Sequence, residues 1–466
     1  MILRSNGSGL PQHIIIFLVI LGLSAPLFAQ LMSQEENETE IILNEAARYL
    51  AAKNYSSALD LFDKLPYEEV EKSEIQLIKA SIFNSAGRLA DARKIANSII
   101  AADGKNTEAL MILADAAAIE GKDRDRRSYL EKVIAINPKH ARALNDLGNI
   151  SLGNKNLRVA AGYFDRTLAA EPENGEALVG RAVVYRYEGE YKLSEQLLSR
   201  AAYFYPQWAR PLQERGRLYK SAGFYAYALE DFEKALTLEP DNYWILVDRG
   251  TLLMEMDRKK EALTGFTRAI SIAPDIFIAY VYSAGIKYEF GDYSGAEQDF
   301  AKMSKIRPDY YFAFEGLGLI RMKNKQWAQA RDAFLEAYRQ APREFTYALM
   351  AAVNWMRAGK PTDPKQFLAQ VLKTAPRDSI EYTMLRLFHD LSGDADAAEK
   401  IEREVNIYSK SKMLFYLACY YDIRGNVSLA NRYYIMVQEL DAAASIEWRM
   451  NEWILEERRI GLRAGK

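Results

Sequence analysis

Two periods of apolar residues are nested along the chain from residue 39 onward. The shorter one is helical. In ALEDFEKALTLEPDN (228–242), Ala228, Phe232 and Ala235 are spaced four and three apart, so they share one face of a helix with charged residues between them. The longer period is 34 residues, because Ala262, Phe266, Ala269 and Pro274 repeat Ala228, Phe232, Ala235 and Pro240. Pro138, Pro172, Pro206, Pro240, Pro274, Pro308, Pro342 and Pro376 stand 34 apart without a gap and make up eight of the 14 prolines. A period of this length predicts an array in which each unit buries its apolar face against its neighbours.

Setting that proline at position 32 places unit starts at 107, 141, 175, 209, 243, 277, 311 and 345. The pattern extends backward to 39 and 73, and forward to 379 and, after a two-residue contraction, 411, giving twelve units over 39–440. Position 8 is small (Ala114, Gly148, Ala182, Gly216, Gly250, Ala284, Gly318, Ala352), and so in most units is position 20 (Ala58, Ala92, Ala160, Ser194, Ala228, Ala262, Ala296, Ala330). Small residues there let two helices approach closely, and the bulky position 24 (Phe62, Phe164, Phe232, Phe266, Phe300, Phe334) fills the space beside them. Burying each such ring stabilises by about 1.5–3 kcal/mol. Position 15 is often Gly, a helix stop. The proline at 32 ends the second helix, and a following Asp or Asn, as in Asp241-Asn242, caps the next one.

Three departures carry expectations of their own. Arg126 takes position 20 of the third unit inside KDRDRR (122–127), which reads as a solvated turn, with a basic docking site as the alternative. Pro364 takes position 20 of the tenth unit, so its second helix is predicted to start late, with Asp363 as cap and Pro364 at the first helical position. The last two units lack the terminal proline, and Glu402 occupies the bulky position of the eleventh. Beyond residue 440, Ile446, Met450, Trp453, Ile454 and Glu457 follow helical spacing, predicting a capping helix and basic tail over 441–466, with Trp448 off the apolar stripe and exposed.

These positions resemble the tetratricopeptide repeat (TPR) family over about residues 39–440, best in 311–344 and in 209–242, where Leu212, Gly216, Tyr219, Gly223, Tyr225, Ala228, Phe232, Ala235 and Pro240 all match. The resemblance implies an all-α fold, an α-solenoid wound as a right-handed superhelix of about twelve helix–turn–helix units with a C-terminal capping helix. It also implies a use for a second stripe on each first helix, at positions 2, 5, 9 and 12. In TPR proteins that stripe lines a concave groove where extended or helical peptides dock.

The stripe has three zones. Units 1–3 mix Glu40, Glu74, Glu108 and Asp115 with Leu43, Leu77 and Met111. Units 4–6 carry Arg142, Asn145, Asn149, Arg186, Arg210, Gln213, Arg217 and Lys220, suited to a carboxylate, an acidic peptide or an anionic glycan, or else a solvated stripe balanced by acids such as Glu214. The carboxylate clamp of some TPR proteins is broken here by Gly180 and Glu214. Units 7–10 carry Trp244, Val247, Met254, Ile278, Val281, Tyr288, Phe312, Leu319, Met322, Val353 and Met356. Apolar residues on a helix face of this kind mark an interaction surface. The alternative is burial by curvature, a neighbouring unit, the capping helix or a second copy.

Composition narrows the function further. The chain is 49% hydrophobic and 27% charged with a formal net charge of −2, so no overall field draws it to nucleic acid or an anionic membrane. Its start differs from the rest: Arg4, then the apolar IIIFLVILGL (14–23), then SAPLFAQ with small Ala29. This reads as a signal peptide over 1–29, followed by an acidic linker over 30–38, or alternatively as an uncleaved N-terminal anchor. Either reading exports the repeats, and a single Cys419 without a disulfide partner suits a bacterial periplasm, with secretion or membrane anchoring as alternatives. No HExxH, Cys-x-x-Cys or GxxxxGK[ST] motif occurs, and His140 and His389 stand far apart. Cys419 reads as a buried structural thiol, and Tyr185, Tyr191, Tyr219, Tyr225 and Tyr293 as repeat packing. The expectation is therefore a non-enzymatic scaffold or adaptor with no cofactor and no metal, binding a protein or peptide within a cell-envelope assembly. A self-assembling structural protein and an accessory subunit of polysaccharide or lipid export are the alternatives.

Overall fold

Each proline-terminated run forms two helices, because each run holds two amphipathic segments separated by one residue that must leave the helix. The computed structural model describes residues 38–359, 364–440, 442, 443 and 445–464; the leader-like segment and Asp363 lie outside these. Among the described residues there are 26 helices and no strand, so the protein is an all-α solenoid of consecutive helix pairs. The chain divides after Pro240 into two compact units.

In the first unit the pairs are Glu38–Ala51 with Tyr55–Phe62, Ser73–Ser85 with Leu89–Ala102, Thr107–Ile119 with Asp123–Ile136, Ala141–Gly153 with Leu157–Ala170, Gly175–Glu188 with Tyr191–Phe204, and Ala209–Ser221 with Tyr225–Leu238. A short helix, Tyr67–Val70, lies between the first two pairs. In the second unit they are Tyr243–Glu255 with Lys259–Ile272, Ile278–Glu289 with Tyr293–Ile306, Tyr311–Lys323 with Trp327–Gln340, Phe345–Arg357 with Pro364–Val371, Ile380–Asp390 with Asp394–Arg403, and Ile407–Ile423 with Val427–Glu439, followed by Ile446–Ala464.

A left-handed residue turns the chain inside every pair: Lys53, Gly87, Gly121, Lys155, Gly189, Gly223, Asp257, Gly291, Lys325, Gly359, Gly393 together with Leu391, and Gly425. The small position-20 residues Ala58, Ala92, Ala160, Ser194, Ala228, Ala262, Ala296 and Ala330 are fully buried, as are Phe62, Phe164, Phe232, Phe266 and Phe334 at position 24. Asn242 caps the next helix, its side-chain oxygen accepting from the N–H groups of Trp244 and Ile245 at 3.0 and 3.2 Å. Pro364 opens its helix.

Two expectations are corrected. KDRDRR is not a turn: Asp123 starts a helix, and Arg126 is half-buried with an ion pair to Asp146 at 3.1 Å, so the guanidinium takes the place of the usual alanine by finding a carboxylate. Trp448 is half-buried rather than exposed, because its indole N–H donates to the Leu440 carbonyl at 3.1 Å.

The terminal helix packs on both helices of the last pair and also crosses to Tyr311–Lys323. Leu319 and Met322 on that helix join a continuous core that runs through Leu349, Met384 and Phe415 to Met450.

Candidate partner-binding site

In the second unit, the first helices of the pairs present the apolar stripe, and the structure divides it by exposure. Trp244 and Phe312 are exposed at 52% and 46%. Met254, Ile278, Val281 and Tyr288 are half-buried, and Val247, Leu319, Met322, Val353 and Met356 are buried. Position 2 opens each first helix, so its side chain stands at the rim; positions 9 and 12 lie further along, where other helices cover them.

The covering element at Tyr288 is the terminal helix. Trp453 meets Tyr288 and Tyr293 at ring-centroid distances of 5.9 and 5.5 Å, and those two tyrosines meet each other at 5.5 Å edge to face. The Lys323 ammonium lies 4.4 Å from the Trp453 ring centroid and 4.8 Å from that of Tyr293. Beside these rings is a cavity of about 630 Å³, walled by Tyr288, Tyr293, Tyr310, Phe312, Leu319 and Trp453, with Glu315, Arg449 and Glu452 as polar groups. A second cavity, of about 870 Å³, lies along the same helix between Met322, Trp327, Arg357, Trp453 and Glu457.

The electrostatics of this region follow from burial. The Tyr288 hydroxyl is buried without a hydrogen-bond partner among the described residues, and lost hydration pushes its pKa well above the usual phenol value. Glu315 accepts a hydrogen bond from the Tyr347 hydroxyl at 2.5 Å, yet burial still holds its carboxyl above the ordinary range. Glu315 stands at position 5 of its unit, on the stripe, and sequence reasoning passed over it because a single acid among apolar neighbours reads as solvated. Trp453 and Arg449 could not have been found from the repeat at all, since they lie outside it.

In the first unit the basic stripe is largely engaged by acids. Arg142 donates to both oxygens of Asp115 at 2.8 and 2.9 Å, and Arg210 pairs with Glu176 at 2.5 Å. Glu214 takes Arg217 at 2.6 Å and Arg186 at 3.5 Å, and the Arg186 guanidinium also lies 4.8 Å from the Tyr187 ring centroid. Asn145 is buried and donates to Asn174 at 2.9 Å. Gln213 is buried, while Asn149 and Lys220 are half-buried. Desolvation raises the Asp115 carboxyl despite the guanidinium beside it.

Cys419 is fully buried, and burial pushes its thiol up despite the nearby Arg357 guanidinium. Among the described residues no three His, Cys, Asp or Glu side chains are placed to hold a metal ion, and no helix is long and apolar enough to cross a membrane.

Paired helices in a 34-residue register, with a stripe set aside from the core, define a repeat scaffold. Family models described as tetratricopeptide repeat match residues 145–207, 286–345 and 209–242, and the chain is a TPR protein. No curated protein matches it. Similar solved structures include a tetratricopeptide repeat protein from Parabacteroides merdae ATCC 43184, at 21% identity over 52% of this chain and 96% of that one, with a TM-score of 0.43. PilW, described as a widely conserved type IV pilus biogenesis factor, is 19% identical over 43% of this chain and 94% of its own, with a TM-score of 0.40. YrrB, described as a TPR protein with an unusual peptide-binding site, is 20% identical over 40% of this chain and 95% of its own, with a TM-score of 0.34. The repeat family makes this chain a protein-interaction scaffold of a typically non-enzymatic class.

Proposed function

We propose that the chain is an exported, non-enzymatic adaptor of a cell-envelope assembly, residing in the periplasm, and that a partner protein segment binds along the stripe of the second unit. The observation that carries the binding reading is the coincidence of exposed aromatic residues with an apolar cavity: Phe312 is 46% exposed and also walls the 630 Å³ space beside Tyr288 and Trp453. Large rings at the mouth of a desolvated pocket dominate binding energy, at about 2 kcal/mol or more each on truncation. Trp244, stacked edge to face on Tyr243 at 5.1 Å, gives a second anchor at the rim. The basic stripe of the first unit is compensated by its own acids. The export reading is supported by the apolar run 14–23 and the acidic residues that follow it.

In-cell photocrosslinking tests this. A photoreactive amino acid replaces Phe312 in one strain and exposed Tyr227, on an outer helix, in another. A discrete product from position 312 alone supports a partner on this face, and mass spectrometry identifies it. A product of twice the monomer mass moves the reading to self-assembly, and no product from position 312 overturns it.

A further inference from the structure

The terminal helix Ile446–Ala464 has two halves that are packed differently. Its first half is built into the core. Glu447, Met450 and Asn451 are buried, the Asn451 amide donates to the Tyr434 carbonyl at 2.9 Å, and the Tyr416 hydroxyl donates to Glu447 at 2.9 Å. Its second half is seated on the surface of the stripe. Trp453, Ile454 and Leu455 are only half-buried, and Glu452, Glu456 and Glu457 are exposed. Its polar ties are an exposed Lys325–Glu457 ion pair and, nearer the last helix pair, a half-buried Arg458 that reaches Asp422 at 2.6 Å and Asn431.

Trp453 itself lines both cavities, of about 630 and 870 Å³. Protein interiors are packed as densely as organic crystals, with few voids larger than a water molecule. Both spaces here open to solvent, so the helix's main anchor sits in a half-buried surface seat and not in an interior of that kind. The seat it covers includes Tyr288, Leu319 and Met322, stripe residues that the repeat pattern assigns to a partner.

We propose that the second half of this helix fills, in cis, the seat of a partner's amphipathic helix, which binds by replacing it. The chemistry of the seat describes that partner. A large ring enters the wall formed by Tyr288, Tyr293 and Lys323, as Trp453 does, with an aliphatic side chain beside it, as Ile454 does. A carboxylate one helical turn further on meets Lys325, as Glu457 does. This deepens the scaffold reading and rests on its claim that the stripe is a partner surface. It adds that the protein is held partly closed until a partner with this pattern arrives.

A fluorescein-labelled peptide of residues 446–464 is titrated onto the full-length chain and followed by polarisation. The wild-type chain is expected to bind it weakly, because apparent affinity is scaled by the fraction of molecules whose seat is open. Trp453→Ala in the chain loosens the cis helix and tightens the peptide by about tenfold or more. The same substitution in the peptide abolishes binding, and Tyr288→Ala in the chain removes it as well. Glu457→Lys in the chain disturbs only an exposed ion pair and shifts affinity in the same direction by less, which guards against a folding defect in Trp453→Ala. Equal affinity for wild-type and Trp453→Ala chains, or no binding to either, overturns the proposal. A partner captured from position 312 with no peptide exchange leaves the scaffold reading standing without the latch; peptide exchange without a captured partner shows a seat that opens but overturns the partner reading, and with it the claim that a partner replaces the helix.

Discussion

Phenylalanine at position 24 and glycine at position 8 form one joint. A Cβ added to Gly148, Gly216 or Gly250 would sit 2.6 Å from the ring of Phe164, Phe232 or Phe266, and at Gly318 2.7 Å from Phe334. Where position 8 is alanine, the partner is often leucine, as in Ala114 with Leu130, Ala182 with Leu198 and Ala352 with Leu368, all buried. Phe300 follows Ala284 instead, and its ring is only half-buried and lies against Gly316. Gly216→Ala is therefore expected to destabilise despite alanine's better helix propensity, because overpacking costs about 1–3 kcal/mol against roughly 1 kcal/mol gained. Gly216→Ala with Phe232→Leu should recover much of the loss, a coupling that a double-mutant cycle by denaturant unfolding measures; strict additivity would dissolve the joint. This pairing was readable from the sequence because the period sets many copies of one contact side by side. The burial of Glu447 was not, since nothing in an isolated glutamate distinguishes a solvated one from one enclosed beside Tyr416 and Thr346.

At the scale of the element, each helix pair turns on a left-handed residue, the eleventh on both Leu391 and Gly393, and the sequence fills the position unevenly. Lys53, Lys155, Asp257 and Lys325 hold φ values of 56 to 58°, a conformation that strains an L side chain, where other pairs use glycine. Lys155→Gly is expected to stabilise by about 0.5–1 kcal/mol and Gly223→Ala to destabilise by about 1 kcal/mol or more. Opposite signs in thermal melts support the turn geometry, and destabilisation by both would argue against it. The terminal helix carries a pH dependence. Burial raises the Glu447 carboxyl above its ordinary 4.5, with Lys412 opposing, Tyr416 and Thr346 hydrogen-bonding to it and Glu315 nearby as a second acid. The docked helix thus keeps a proton that an undocked one releases. Docking is strongest at low pH and weakens as pH rises from the ordinary carboxyl value through the raised one. Amide protection over 447–455, corrected for intrinsic exchange, should fall as pH rises above the ordinary carboxyl value, and Glu447→Gln should flatten that change. A flat wild-type profile would exclude Glu447 as the controlling group. The sequence raised burial of the stripe by this helix as an alternative, but not which residues meet, because the Lys325–Glu457 contact spans 132 residues and has no periodic counterpart.

For the whole molecule, the two units solve the problem of core formation differently. The first is a stack. Its buried apolar residues fall into several separate clusters, around Leu43 to Leu113, Leu110 to Leu147, Phe164, and Leu178 to Leu218. The second keeps a separate cluster around Tyr280 to Ala313 but gathers the residues from Leu319 to Met450 into one, and its helices Phe345–Arg357 and Ile407–Ile423 touch although they are not consecutive. Arg357 fastens that convergence, donating to Asp422 and to the Tyr434 hydroxyl, each at 3.3 Å, while Arg458 reaches the same Asp422 at 2.6 Å. This is why, of the two readings the stripe pattern left open for Leu319, Met322, Val353 and Met356, exposed groove or burial, the structure takes burial. Position in a repeat describes a one-dimensional array, and the end of this chain is not one. The difference predicts two unfolding behaviours. A stack held by nearest-neighbour interfaces loses its end units first, so amide protection should rise inward from Glu38–Ala51 toward Gly175–Glu188 in a graded series. The converged core should open as one cooperative block, with Phe345–Arg357 and Ile407–Ile423 exchanging together at a common free energy as denaturant is added. Arg357→Leu should break that block into steps, because it leaves the Asp422 carboxylate without one of its two guanidinium partners at the crossing. If the two helices exchange at different free energies in the wild-type protein, the second unit is a stack like the first, and the terminal helix gains no rigid base from which to close over the stripe.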